Sequence, residues 1–133
     1  MTESKIKYFT PDEARKTLPL VKQIVRDILN KGYEIKQITD KISGPIEINS
    51  TLTNLLDQVE SYINELKELG CYYKDWNFTI GLVDFPSIID GEEVYLCWRS
   101  DEDGITYYHS TSDGYSGRKK LPDEYIIQET NFS

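Results

Sequence analysis

The sequence contains few of the residues from which catalytic and metal sites are usually built. Among 133 residues it has one His and two Cys, and it lacks the HExxH, CxxC, GxSxG and phosphate-binding GxxxxGK patterns. Cys71 and Cys97 fit no close-spaced zinc or redox motif, so we expect both to be reduced, buried thiols. The sequence therefore predicts no bound metal and no cofactor.

Long apolar runs and clustered positive charge are also missing. No uninterrupted apolar stretch approaches the roughly 20 residues that span a bilayer, and the segment from Met1 to Lys7 lacks the apolar core of a signal peptide. The 23 acidic and 15 basic residues give a net charge of −8, which disfavours nucleic acid because phosphate binding depends on clustered Lys and Arg. We expect a soluble, cytoplasmic protein that binds neither membranes nor nucleic acid.

The first half of the chain is typical of one long amphipathic helix followed by another. Thr10-Pro11-Asp12-Glu13 has the residues of a capping box, with Pro at the first helical position, and the apolar residues that follow recur at steps of three, four and seven. Pro19 removes a backbone hydrogen bond, so we expect a kink or a break just before it. A second apolar stripe runs from Leu52 to Leu69 and ends at Gly70, a residue suited to the left-handed position after a helix.

The second half predicts a small antiparallel sheet. Three stretches, 79–83, 92–98 and 105–110, are rich in β-branched and aromatic residues, and Asp90-Gly91 between the first two is a hairpin turn signal. The short link at Ser43-Gly44-Pro45 requires the helices to be antiparallel. We therefore predict a single α+β domain over residues 1–133. It has an antiparallel helical hairpin at about 11–69, a β part at about 72–118 with about three strands, and a loose tail at about 119–133.

Alternation along the strands assigns side chains to faces. Val94, Leu96 and Trp98 share one face of the second strand, and Arg99 lies on the other. Extending the third strand back to Ile105 places His109 on the face of that apolar residue. We therefore expect His109 at the edge of the core or beside Trp98, on the opposite side from Arg99.

Four residues are candidates for a binding site: Asp84, Arg99, His109 and Arg118. His109 suits proton transfer near neutrality, although a single His at a strand end is more often structural. The three cationic or protonatable groups would attract an anionic ligand in this otherwise acidic chain, with Asp84 orienting Arg118 or His109. The alternative is structural, with Arg118 pairing with a carboxylate such as Asp84 to hold the final turn.

Several blocks of the sequence resemble a known family. They are Phe9 to Ala14 with Leu18 to Val21, then Gly81 to Pro86, Leu96 to Arg99, His109, and Gly114 to Arg118. Together and in this order, they resemble the prokaryotic family called domain of unknown function 2203. The family name implies no activity, so the resemblance assigns no role to any residue.

Two classes of function stay open, and whether the protein is an enzyme is undecided. One is a non-catalytic binding or interaction module that forms a homodimer through surplus apolar surface on its helices and presents aromatic and Arg side chains to a protein partner. The other is a small enzyme or ligand-binding protein with an anion site near Arg99, His109 and Arg118. The two are distinguished by whether these side chains and Asp84 converge.

Overall fold

The computed structural model describes residues 6–41, 50–75 and 78–126. The elements follow in the order α1 (Pro11–Thr39), α2 (Ser50–Leu69), β1 (Tyr72–Tyr73), β2 (Leu82–Ile89), β3 (Glu92–Arg99), β4 (Tyr107–Ser110), a 3-10 turn (Tyr115–Gly117), β5 (Lys119–Lys120) and α3 (Asp123–Ile126). The predicted α+β class is confirmed, with a helical hairpin and an antiparallel sheet. The predicted link at Ser43-Gly44-Pro45 and the end of the predicted tail lie outside the described residues.

The sheet has five strands rather than about three, in the order β1-β2-β3-β4-β5, and every pair is antiparallel. The two additional strands contain two residues each, which is too short for alternation to show in the sequence. Lys119 and Lys120, which the sequence analysis assigns to the tail, pair with Tyr108 and Tyr107. The sheet therefore extends beyond Arg118.

The ends of the helices follow local signals in the sequence. The backbone N–H of Glu13 donates to Thr10 Oγ1, and the N–H of Thr10 donates to Glu13 Oε1, both at 3.0 Å, which completes the predicted capping box. α1 continues without a break through Pro19, whose ring lies on the exposed side of the helix. At the end of α2, Gly70 has φ of 100° and terminates the helix in the left-handed conformation.

The two faces of the sheet have different neighbours. Val83, Phe85, Leu96 and Trp98 point toward α1 and α2 and form one hydrophobic core with the buried faces of the helices. The Asp90-Gly91 turn, with φ of 53° and 82°, connects β2 and β3 as a two-residue hairpin. The first strand predicted at 79–83 is displaced, because β2 begins at Leu82 and continues through Pro86 to this turn. In the described ranges, none of the helices has the length and hydropathy required to cross a bilayer. The opposite face of the sheet carries the polar residues considered next.

Candidate functional site

Three residues that can ligate a cation lie on the sheet face that points away from the core. Asp84 on β2 pairs directly with Cys97 on β3, and His109 on β4 pairs with Tyr95, two residues before Cys97. Because cross-strand partners point to the same side of a sheet, all three side chains share one face. We call Asp84, Cys97 and His109 the Asp–Cys–His cluster.

The face predicted for His109 is therefore wrong. Its register places it with Tyr95, on the side opposite Trp98 and on the same side as Arg99. The prediction extended strand alternation back to Ile105, but β4 begins only at Tyr107. Ile105 is buried in the core from an irregular segment, where the period of two does not apply.

The cluster is tight and shielded from solvent. His109 Nε2 lies 3.2 Å from each carboxylate oxygen of Asp84, and one ligand atom from each of the three residues lies within 4.8 Å of the others. The side chains of His109 and Asp84 are 6% and 4% exposed, and Cys97 is 1% exposed. The Asp84 and His109 side chains meet across the central strand β3, between Tyr95 and Cys97.

The hydrogen bonds of the two His109 ring nitrogens determine which species can lie between His109 and Asp84. His109 Nδ1 is 2.9 Å from the carbonyl oxygen of Ser110. A carbonyl oxygen only accepts hydrogen bonds, so Nδ1 carries a proton and, in the neutral ring, Nε2 carries a lone pair. An ionised Asp84 also offers only acceptors. A proton or another cation must therefore lie between Nε2 and the carboxylate.

Burial changes the acidity of the two other members. It raises the pKa of the Asp84 carboxyl above its ordinary value, although the charge and the hydrogen bond of His109 act in the opposite direction. Burial raises the pKa of the Cys97 thiol to about 12, and the nearby Asp84 carboxylate contributes in the same direction. Cys97 is therefore a neutral thiol at physiological pH, and it is hydrogen-bonded to Asp84 rather than activated as a nucleophile.

The two arginines lie beside the cluster and are already paired. Arg118 Nη2 donates to the carbonyl oxygen of Cys97 at 3.1 Å and to Glu102 Oε1 at 2.8 Å. The Arg118 guanidinium also lies over the Tyr107 ring, 4.2 Å from its centroid. Its carboxylate partner is thus Glu102, whereas the sequence analysis suggested Asp84 as an example.

Arg99, the last residue of β3, is more exposed than the Asp–Cys–His cluster. Its Nε donates to Asp101 Oδ1 at 2.6 Å, and its Nη1 donates to the Tyr115 hydroxyl. The Tyr115 ring lies 5.0 Å from the Arg118 guanidinium carbon, so it connects the two arginines. Of the four candidate residues, Asp84 and His109 converge, Arg118 adjoins them through the backbone of Cys97, and Arg99 forms a separate pair.

Cys97 is the member of the cluster that the sequence analysis missed. The signal for it was present, because the Asp90-Gly91 turn sets the register of the hairpin. If Ile89 pairs with Glu92 beside the turn, the fifth pair further from the turn joins Asp84 to Cys97. What the sequence does not provide is the position of His109 relative to this pair.

Comparison with known proteins adds a family but no activity. No curated protein and no solved structure matches the chain. Residues 7–121 match the family described as "Uncharacterized conserved protein (DUF2203)", a region that contains all three residues of the Asp–Cys–His cluster and both arginines. The sequence blocks and this match agree, and the chain belongs to the DUF2203 family.

Proposed function

We propose that this chain is a non-catalytic binding protein whose ligand is a small cation held by the Asp–Cys–His cluster. The observation that carries the proposal is the 3.2 Å approach of His109 Nε2 to both carboxylate oxygens of Asp84. His109 Nε2 and the two carboxylate oxygens need a proton or a bound cation between them, and Cys97 Sγ adds a third ligand atom that a proton on Nε2 would not engage. A bound cation satisfies all of them at once.

The charges around the cluster favour a cation over the anion that the sequence suggested. Arg118 is paired with Glu102, and Arg99 with Asp101, so neither guanidinium is left uncompensated. His109 is buried against a carboxylate rather than turned toward an open pocket. An anion entering this region would have to displace Glu102 or Asp101, or approach Asp84 directly, and each route costs electrostatic energy.

Binding is favoured over catalysis because the cluster offers no activated nucleophile. A cysteine nucleophile requires a thiolate, and burial raises the pKa of Cys97 to about 12. Its thiol contacts the carboxylate of Asp84, and His109 uses its two ring nitrogens for Ser110 and Asp84. The Cys–His pairing on which a thiol hydrolase depends is therefore not formed.

Native mass spectrometry of full-length protein purified without chelator tests the proposal. We expect a cation adduct on the wild-type chain, lost in Asp84→Asn, which keeps the shape of the side chain but removes its charge. Asp101→Asn is the matched control, because Asp101 is an acid in the turn after β3 that pairs with Arg99 and lies outside the cluster, and it should keep the adduct. An adduct that persists in Asp84→Asn, or its absence from the wild type even after addition of a panel of simple cations, contradicts the proposal.

We also propose that the protein forms a homodimer through its helices. The supporting observation is that Leu20 and Tyr33 on α1 and Leu56 on α2 are 47%, 64% and 48% exposed. Fully burying such a side chain contributes roughly 1.5–3 kcal/mol, so covering several in a dimer favours association.

We place the protein in the cytoplasm, because its buried free thiols suit a reducing compartment.

Light scattering at high micromolar concentration tests the homodimer. We expect twice the monomer mass for the wild type and a lower mass for the double variant Leu20→Gln/Leu56→Gln. Ile88→Gln, at an equally exposed position on β2, is the control and should stay dimeric. A wild-type monomer under these conditions refutes the homodimer without affecting the cation site.

A further inference from the structure

We infer that the cation is a divalent transition metal of the zinc class, bound through Asp84 Oδ, Cys97 Sγ and His109 Nε2. This inference rests on the proposed cation-binding function and names its ligand. The donor set decides the class of metal. Calcium and magnesium take oxygen ligands, whereas a thiolate together with an imidazole is typical of zinc and its neighbours in the transition series.

The observed distances suit a tetrahedral ion. Zn–N and Zn–O bonds of about 2.0–2.1 Å, at the tetrahedral angle, place the two ligand atoms about 3.3 Å apart. His109 Nε2 and Asp84 Oδ1 are 3.2 Å apart. The ligand atoms of the cluster are at most 4.8 Å apart. A sulfur and a nitrogen bound to the same zinc are roughly 3.5 Å apart. Cys97 Sγ therefore has to move by no more than about 1.3 Å toward His109 Nε2.

The orientation of His109 is already that of a metal ligand. Its Nδ1–H donates to the carbonyl oxygen of Ser110, which directs the Nε2 lone pair into the cluster. Metal-binding histidines commonly use this kind of backbone bond to hold the ring and its tautomer. The carbonyl of Cys97 is likewise held by Arg118, so the backbone that carries the sulfur ligand is anchored from a neighbouring segment.

Charge matching supports a divalent ion in so buried a place. Zn²⁺ displaces the proton of the Cys97 thiol to solvent when it binds, so Asp84 and Cys97 then each contribute one negative charge, His109 is neutral, and the occupied cluster is neutral. Burying a neutral assembly avoids the large desolvation cost of an uncompensated charge. A monovalent ion would be balanced by Asp84 alone and would leave Cys97 a neutral thiol, so the two classes of ion differ in whether a thiolate ligand forms among these buried side chains.

Three protein ligands leave the fourth tetrahedral position for water or a small molecule. The half-buried rings of Tyr95 and Tyr107 lie next to the cluster, as cross-strand partners of His109 and Cys97. Both rings lie on the same sheet face as the three ligands. We therefore expect one metal ion per chain.

Spectroscopy with Co²⁺ in place of zinc, combined with calorimetric titration of Zn²⁺, tests the site. On the full-length chain freed of metal by a chelator, we expect the near-ultraviolet charge-transfer band of a thiolate–Co²⁺ bond and one Zn²⁺ per chain. Cys97→Ser should lose the band. Asp84→Asn and His109→Gln should each weaken Zn²⁺ binding by roughly tenfold to a hundredfold or more. Cys71→Ser is the matched control, because Cys71 is also a buried free thiol but lies outside the cluster.

The outcomes separate this inference from the proposed function. If Ca²⁺, Mg²⁺ or an organic cation binds in a manner that depends on Asp84 while Zn²⁺ and Co²⁺ do not, the metal identity is wrong and the cation site stands. If no cation binds, both fail. A Co²⁺ band that survives in Cys97→Ser overturns the ligand assignment. Should Cys97→Ser lose its cooperative thermal transition, the calorimetry of His109→Gln and Asp84→Asn decides, and unchanged Zn²⁺ affinity in both refutes the site.

Discussion

Replacing Gly32 by Ala should destabilise the protein, even though Ala is the better helix former. Gly32 lies within α1, where Gly costs about 1 kcal/mol relative to Ala. A Cβ at this position would lie only 2.4 Å from Cβ and 2.5 Å from Cγ of Phe78. Because these atoms are near the backbone of Phe78, the contact cannot be relieved by moving the end of a side chain.

The balance of these two effects sets the expected magnitude. Overpacking a well-packed site costs typically 1–3 kcal/mol, and an overlap this deep belongs near the top of that range. After subtracting the gain in helix propensity, we expect Gly32→Ala to lower the free energy of unfolding by about 1–2 kcal/mol. Chemical denaturation monitored by circular dichroism measures the difference. Asn30→Ala, an exposed position on the same helix, is the control and should be neutral or slightly stabilising.

A second substitution makes the test decisive. Phe78 has φ of 58°, a conformation in which Gly is unstrained, so Phe78→Gly removes the obstructing atoms without distorting the backbone. In that background Gly32→Ala should become stabilising by up to about 1 kcal/mol, because only the helix propensity remains. A reversal of sign supports the close approach of α1 to Phe78. If Gly32→Ala stabilises the protein with Phe78 intact, the packing argument is refuted.

Two further predictions concern the residues beside the cluster. Arg118→Ala should lower the unfolding free energy by about 2–4 kcal/mol, because Glu102, whose side chain is 15% exposed, loses its cationic partner and keeps the hydrogen bond from the backbone N–H of Arg99. Adding Glu102→Gln to Arg118→Ala should recover part of the lost unfolding free energy. Both variants should still bind the cation. Equal stability of Arg118→Ala and wild type in thermal melts would contradict the pairing. Cys71 and Cys97 should both resist a colourimetric thiol reagent in the folded protein as pH passes the ordinary thiol pKa of about 8.5, because burial raises the pKa of each to about 12. Rapid labelling of either thiol before unfolding would contradict its burial.

Much of the fold is readable from local patterns. The capping residues around Thr10 and the glycine at 70 mark helix ends because they satisfy backbone groups within a few residues of themselves. Pro19 shows the limit of such signals. Its local cost predicts a kink or a break, and the break does not occur: α1 is continuous from Pro11 to Thr39, with Leu18 and Val21 buried in the core.

The candidate site was only partly predictable. The sequence proposes Asp84, Arg99, His109 and Arg118 as an anion site, and of these the structure brings Asp84 and His109 within 3.2 Å of each other. The hairpin turn sets Asp84 opposite Cys97. The partner of Arg118 was not predictable, since Glu102 lies in the irregular segment between β3 and β4. Likewise, the face of His109 depends on the path of this segment, in which Ile105 is buried in the core two residues before β4 begins.

The sequence by itself determined the elements whose signals act over a few residues: the two amphipathic helices and the Asp90-Gly91 turn. Steric and hydrogen-bonding preferences of adjacent residues are sufficient for these. Only the tertiary structure decided that His109 meets Asp84 across β3 and that both are buried beside Cys97. Those distances depend on strand register and loop path, which are set by packing between segments far apart in the chain.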